Sequence, residues 1–375
     1  MAIKETSGQE QSRRSIKRLD DYTVVDADVH EIMPDVLKRG ALEQYLEEPY
    51  KSKYRQIKRT DEPLAGTTGS TQPHDIDPTP HGLGDDVSPT SAEGLEGFME
   101  RFNSDYIVMH GHGATGANTQ PDKEFAQALS SAYNDYMLDN ILDEYEGFKS
   151  GIHIAPEAGD AAAEEIHRLA DEDDMVSVYV MAAPNGLFGG KEFEPIYEAA
   201  NEEGIPIDYH PSQSLMPWSG LWGGPNLYST AEFMGVYGHH LISHIPSLIF
   251  NGIPERYPNV DHVFLEQGLA WIPWAMGRMD KNYERRKHEF PHLERKPSEY
   301  LREHFFFGTQ PMEDVAGPGF LAELFDMIGA EDMVMYSTDF PHFDFDYPAP
   351  QAIPRLDDDV ERAIFSENAR EVYGI

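Results

Sequence analysis

The chain of 375 residues has no cysteine, which excludes disulfides, thiolate metal ligands and a cysteine nucleophile. It also lacks any run of about 18 apolar residues, so no membrane-spanning helix is expected. Residues Met1–Arg18 are polar and basic, without the apolar centre of a signal peptide, so residues 1–20 read as a disordered leader and the protein as cytoplasmic. Basic residues are scarce: 29 Lys and Arg stand against 67 Asp and Glu, a formal net charge of −38. Phosphate backbones need a basic footprint, so no nucleic-acid partner is expected. The acids are spread along the whole chain rather than blocked, which argues against a dedicated basic partner. Such self-repulsion loosens a compact fold in dilute buffer, and concentrated salt, with a Debye length of about 3 Å at 1 M, removes most of it. The composition therefore points to a salt-accumulating halophile. No glycine-rich phosphate loop follows any apolar run, which argues against Rossmann or P-loop chemistry.

What is present is a rhythm. Hydrophobic residues make up 40% of the chain, enough for one large core. Strands are expected at Thr23–Val29, Asp105–Met109, Gly151–Ala155, Met175–Met181, Ile205–His210, Val260–Leu265, His304–Phe307 and Met333–Ser337. Helical periodicity lies between them at Asp122–Glu144, Gly159–Ala170, Glu192–Glu203, Thr230–Phe250, Ala270–Arg286 and Gly319–Ile328, with closing helices over Asp357–Tyr373. Gly204 marks a helix end. About eight strands alternating with helices imply a parallel sheet, and over this length a (β/α)8 TIM barrel spanning residues 21–375 as one domain. Residues 39–93, rich in Pro, Gly and Asp, read as a long inserted loop region after the first strand.

The tract Val25-Asp26-Ala27-Asp28-Val29-His30-Glu31 is chemically the most pointed. Alternation along a strand would put Asp26, Asp28 and His30 on one face, where Asp28 and His30 could share a cation. Read alone, the tract is equally a polar strand end. Catalytic residues of such barrels gather at the C-terminal ends of the strands. There the second strand offers His110, followed by Gly111 and His112, and the fifth offers His210. The sixth offers Glu266, and the eighth Ser337-Thr338-Asp339-Phe340-Pro341-His342. Apolar runs ending in metal-capable groups at five strands are not a coincidence of composition. His110, His240 and His342 are candidate substrate contacts, and Trp218 and Trp222, in the Gly/Pro-rich loop after His210, are candidates to line a pocket. His240 and His244 share a helix face, but no Glu follows His240, so the zincin pattern fails. Asp208 reads as structural, and Asp26 and Glu31 as supporting groups.

The chain resembles the amidohydrolase superfamily, within it the group containing aminocarboxymuconate-semialdehyde decarboxylase and related aromatic-acid decarboxylases. The resemblance rests on Val25–Glu31, Ile205–Pro211 and Tyr336–His342, with support from Glu255–Val260, Leu265–Trp271 and Asn368–Tyr373. It implies one divalent metal ion, Zn2+ favoured over Mn2+, held by Asp28, His30, His210 and Asp339. Two departures matter: many relatives have His where Asp28 stands, and decarboxylase relatives have His where Glu266 stands. The expected activity is therefore hydrolysis of a small acidic or cyclic substrate, with Asp339, Glu266 and His210 as catalytic residues and Asp339 or Glu266 taking the proton of an activated water. Non-oxidative decarboxylation of a small aromatic or muconate-type acid is the alternative, and a non-catalytic cation- or ligand-binding barrel a third reading. A homodimer is expected.

Overall fold

The computed structural model describes residues 22–33, 40–58, 86–111, 122–181, 186–211, 238–312, 319–342 and 353–375, with Leu19, Val36, Leu83, Gln120, Gly235 and Phe345 between them. Residues 1–18 of the expected leader, residues 59–82 of the expected insertion, and the loop carrying Trp218 and Trp222 lie outside these residues, whereas Leu19, placed in the expected disordered leader, is buried in the core.

Eight strands run in parallel in sequence order: β1 (Val25–Val29), β2 (Tyr106–Met109), β3 (Phe148–His153), β4 (Met175–Met181), β5 (Ile207–His210), β6 (His262–Phe264), β7 (Phe305–Gly308) and β8 (Val334–Met335). The residues after β8 turn back onto β1: Ala27 N–H donates to Tyr336 O at 2.9 Å and His30 N–H to Phe340 O at 2.7 Å, closing the ring. Sequences such as MVSVYVM in β4 suit a strand covered on both faces, and every residue of β4 is buried. Residues of one parity, Ile107, Met109, Val178, Val180, Ile207, Tyr209, Phe305 and Phe307, pack into the large core shared with the helices. Residues of the other parity, among them Val108, Val263, Leu265 and Met335, form a second apolar cluster with Ala27, Ala369, Val372 and Tyr373. This cluster fills the barrel interior, and the helix Asn368–Tyr373 stops its closed end.

The helices between strands are α1 (Tyr50–Lys58), α2 (Ala92–Phe102), α3 (Lys123–Asn140), α4 (Asp160–Leu169) and α5 (Glu194–Glu203) in the first half. Ile272–Arg286, Pro297–His304 and Phe320–Ile328 are the longest of the second half. Caps follow from sequence: the Ser91 hydroxyl accepts from Gly94 N–H at 3.1 Å, Asp122 accepts from Phe125 N–H at 3.1 Å, and Gly204 closes α5 with φ 68°.

Three expectations need correction. The insertion 39–93 is not irregular where it is described: Ala41–Tyr45 forms a 3₁₀ turn and α1 follows it. The described part of the expected Thr230–Phe250 helix is two short pieces, His239–Ile242 and His244–Phe250, because the chain leaves helical hydrogen bonding at Ser243. The third strand begins at Phe148 rather than Gly151, since Ile107, Val108 and Met109 of β2 pair with Phe148, Lys149 and Ser150.

Candidate metal centre

Five strands deliver a buried titratable side chain to one end of the barrel: Asp28 and His30 from β1, His110 after β2, His210 from β5, Glu266 after β6 and Asp339 after β8. In β1 the pairing register shifts between Asp26 and Val29, so simple alternation is broken. Asp26 therefore leaves the group it was expected to share with Asp28 and His30. Its carboxylate accepts from Thr338 N–H at 2.9 Å and from the Thr338 hydroxyl at 2.7 Å, tying β1 to the loop that presents Asp339. Burial pushes the Asp26 carboxyl up to about 8 despite these bonds.

The two histidines are oriented by their neighbours. His30 Nδ1–H donates to the His110 carbonyl at 2.6 Å, and His210 Nδ1–H to the Pro211 carbonyl at 2.6 Å. A carbonyl can only accept, so Nδ1 of each ring carries a proton and Nε2 is the nitrogen turned inward, His30 Nε2 onto Asp339 and His210 Nε2 without a hydrogen-bond partner. His30 Nε2 lies 3.0 Å from Asp339 Oδ1, 3.5 Å from Asp28 Oδ1 and 3.9 Å from Glu266 Oε1. His210 Nε2 lies 3.4 Å from Glu266 Oε2 and 3.8 Å from Asp28 Oδ2. His210 Nε2, Asp28 Oδ2 and Glu266 Oε2 are buried without hydrogen-bond partners. Lone pairs and carboxylate oxygens packed this closely repel unless a cation lies among them. Donor–donor edges of a site with bonds of about 2.1 Å are roughly 3.0–3.4 Å, close to the spacings here. The residues therefore fit a divalent ion. The donor atoms fall into two overlapping groups, Asp28 with His30 and His210, and His30 with Glu266, Asp339 and His342.

Glu266 and Asp339 share a further property. With φ of 52° and 65°, they are two of only three non-glycine residues in the left-handed region among those described, the third being a helix C-cap, Asn103. Such backbone costs about 1–3 kcal/mol at each position and persists where surrounding structure holds it, characteristically at functional sites. Burial raises the affinity of both Asp28 and Glu266 for protons, but the facing imidazoles outweigh it. In their protonated form His30 and His210, with the His110 hydrogen bond, hold Asp28 below the usual carboxylate range, and His210 and His342 hold Glu266 well below it.

The remaining candidates sort by geometry. His342 belongs to the centre: its Nδ1 faces Glu266 Oε1 at 3.1 Å and touches Asp339 Oδ1. His110 does not offer itself to a substrate as expected, because both ring nitrogens are engaged, Nδ1 with Asp28 Oδ1 at 3.0 Å and Nε2 with Asp208 Oδ2 at 2.9 Å. Burial lowers its basicity, but the two carboxylates outweigh it and raise the imidazole to about 9. Asp208 thus supports the site through His110. His240 lies in the short helix His239–Ile242 with its side chain outside the described atoms, and Trp218, Trp222 and His112 lie outside the described residues. Glu31 accepts from the Tyr133 hydroxyl, an approach that leaves no room for a Cβ at Gly111, and burial pushes its carboxyl up to about 7. Tyr179 and His153 went unremarked in the sequence. Tyr179 stacks on His110 at 4.8 Å and 21°, and its ring lies 4.4 Å from that of His153. The signal was there: Ser177, Tyr179 and Met181 alternate along β4.

A search of curated proteins gives no match. Among solved structures, 5-carboxyvanillate decarboxylase from Sphingomonas paucimobilis superposes with TM-score 0.68 at 19% identity, covering 95% of this chain and 100% of that one. The 5-carboxyvanillate decarboxylase of Novosphingobium aromaticivorans, complexed with manganese and 4-hydroxy-3-methoxy-5-nitrobenzoic acid, gives 0.66 at 18%, covering 95% and 97%. The 2,6-dihydroxybenzoate decarboxylase from Rhizobium gives 0.65 at 16%, covering 94% and 99%. At these identities the likeness establishes the barrel. A family model described as Amidohydrolase matches residues 25–375, nearly the whole chain, and with the fold and the converging donors above it the conclusion is that the chain belongs to this family of metal-dependent enzymes.

Proposed function

We propose that the protein is a metal-dependent carboxy-lyase that removes CO2 from a small aromatic acid. The observation that carries metal-dependent catalysis is the set of buried, mutually facing donors Asp28, His30, His210, Glu266 and Asp339 at the open end of the barrel. The lyase chemistry is supported by the solved barrels of similar architecture, several of which are decarboxylases of hydroxylated benzoates. The expected preference for Zn2+ changes once Glu266 joins the donors. Three carboxylates with two imidazoles suit the harder Mn2+, and manganese is present in three of the similar structures.

When bound, the ion supplies charge that holds a substrate carboxylate or phenolate and steadies negative charge on the ring. The chain's own residues do the rest. His30 and His210 are fixed by the backbone carbonyls they bind, so they orient without moving protons. Asp339, braced by His342, is the proton donor. Its carboxyl delivers a proton to the ring carbon that bears the carboxylate, and the C–C bond then breaks with its electron pair restoring the aromatic ring, so CO2 departs. Glu266, with one oxygen toward His342 and one toward His210, holds negative charge that pushes electron density toward the substrate.

A second reading, hydrolysis, is favoured by a specific feature. Three carboxylates around one divalent ion would leave the site net negative, which suits a neutral carbonyl substrate better than an anion. In that reading Glu266 takes a proton from the attacking water and returns it to the leaving group. Protein loaded with Mn2+ or Zn2+ is incubated with a panel of hydroxybenzoates, lactones and amides, following CO2 and product carboxylate. Stoichiometric CO2 with the decarboxylated arene supports the lyase. New carboxylate without CO2 establishes the hydrolase instead, and no turnover of either kind sinks both.

A further inference from the structure

A string of buried polar groups runs down the barrel axis away from the metal centre. His110 Nδ1 lies 3.0 Å from Asp28 Oδ1, and His110 Nε2 lies 2.9 Å from Asp208 Oδ2. Asp208 in turn accepts from the Ser177 hydroxyl at 2.5 Å and from the Tyr373 hydroxyl at 3.4 Å. These residues come from β1, β2, β5, β4 and the helix that stops the barrel's closed end. Asp28, His110, Asp208 and Ser177 are all buried, and around them lie the apolar side chains of Val108, Val263, Leu265 and Met335. Buried ionic strings stabilise less than well-packed apolar residues of similar volume, so stability alone does not account for this one. It does have a geometric consequence. By engaging Asp28 Oδ1, it leaves Oδ2, buried and without a hydrogen bond, as the oxygen turned toward His210 Nε2 at 3.8 Å.

We propose that Asp208 is a positioning residue of the metal centre, acting through His110 to fix the plane of the Asp28 carboxylate, with Ser177 and Tyr373 as its anchors. The proposal rests on the metal-dependent reading but not on which reaction follows. Asp28 Oδ1 is held by His110, itself anchored in the barrel interior, so the orientation of one ligand depends on residues that never touch the ion. The effect reaches from the active end to Tyr373 at the closed end. Loss of an outer partner of this kind costs about 10–100-fold in metal affinity.

The test uses the full chain stripped with a chelator and titrated with Mn2+ alone, read by equilibrium dialysis and by the electron paramagnetic resonance line shape of the bound ion. Asp208→Asn and His110→Gln are expected to weaken Mn2+ binding about 10–100-fold and to alter the line shape. Tyr373→Phe and Ser177→Ala are expected to weaken it several-fold, and they keep the test decisive if the larger changes do not fold. Because they act on one string, Asp208→Asn and His110→Gln together are expected to cost little more than either alone. Glu361→Gln, a buried carboxylate in the chain segment after β8, serves as the control, lowering metal-free stability while leaving affinity and line shape intact. Wild-type affinity and line shape in Asp208→Asn and Tyr373→Phe, whatever their metal-free stability, would overturn the proposal. Weakened binding in the variants of a protein that turns over no substrate supports this proposal and rejects only the assigned reaction. A wild-type protein that binds no Mn2+ overturns both.

Discussion

His210 reaches the centre with Nε2 bare because the proton on Nδ1 is committed to the Pro211 carbonyl. Removing the ring therefore removes a donor without freeing a replacement, since the residues around it are carboxylates already facing the same space. His210→Ala should lower divalent-metal affinity by more than about 100-fold, beyond what loss of an outer partner costs. Unchanged metal stoichiometry by mass spectrometry after dialysis would reject His210 as a ligand. Glu266 poses a subtler question, because its two oxygens divide between His210 and His342. Glu266→Gln keeps shape and oxygen but removes a charge, leaving two carboxylates with two imidazoles. Selectivity should then shift toward Zn2+ by about tenfold relative to Mn2+ in a competition titration, since fewer hard donors remain. An unchanged Mn2+/Zn2+ ratio would place Glu266 outside the ligand set, as a base only.

At the scale of elements, α2 shows how tertiary packing overrides local signals. Its sequence, AEGLEGFMERF, contains Gly94 and Gly97, which read as breakers. A Cβ at Gly97 would stand 1.8 Å from Asp86 O and one at Gly94 2.4 Å from Ser88 O, so both glycines admit the segment packed against the helix. Phe98 of the same helix stacks on Phe340, 4.2 Å between centroids, next to Asp339. Phe98→Ala is expected to cost about 3–5 kcal/mol in denaturant unfolding and to loosen the loop that holds Asp339. A loss under 1 kcal/mol would show that the stack carries no support. The strands were far more legible than this helix, because β1, β2, β5, β6 and β8 are short runs that end in the groups carrying the chemistry. Asp28, His30, His210 and Asp339 could be read from strand ends and resemblance. The engagement of both His110 nitrogens could not, because it depends on Asp28 and Asp208, 82 and 98 residues away. Near the closed end, burial and the nearby Glu371 raise the Asp261 carboxyl to about 6. A folded state that holds its proton more tightly than the unfolded chain loses stability as pH rises from the ordinary aspartate value of 3.8 through about 6. Asp261→Asn should flatten that loss and raise the melting temperature by about 2–4 °C at pH 7 while changing nothing at pH 3.5. An equal shift at both pH values would assign the effect to packing instead.

For the whole molecule the governing quantity is charge. With 67 acidic and 29 basic residues, pairing every Lys and Arg still leaves the chain at −38, so repulsion cannot be cancelled internally. Many of the ion pairs that do form lie on the surface, as in Arg55–Glu43 and Arg286–Glu289, where solvent screening leaves each little net stabilisation. Added salt should therefore stabilise the fold steeply at first. Screening lengths fall from about 10 Å at 0.1 M to about 3 Å at 1 M, and most of the gain should come within that range. Salt also strengthens apolar burial through exclusion from the surface, but that contribution keeps growing with concentration and is larger for sulfate. Melting curves in KCl and in K2SO4 at matched ionic strength separate the two. Screening predicts coincident rises of roughly 10 °C or more that level off near 1 M. Curves that climb without levelling, steeper in sulfate, would assign the stabilisation to exclusion. A melting temperature flat from 0.05 to 1 M KCl would reject an electrostatic role for the acidic surface and with it the reading of the chain as built for concentrated salt.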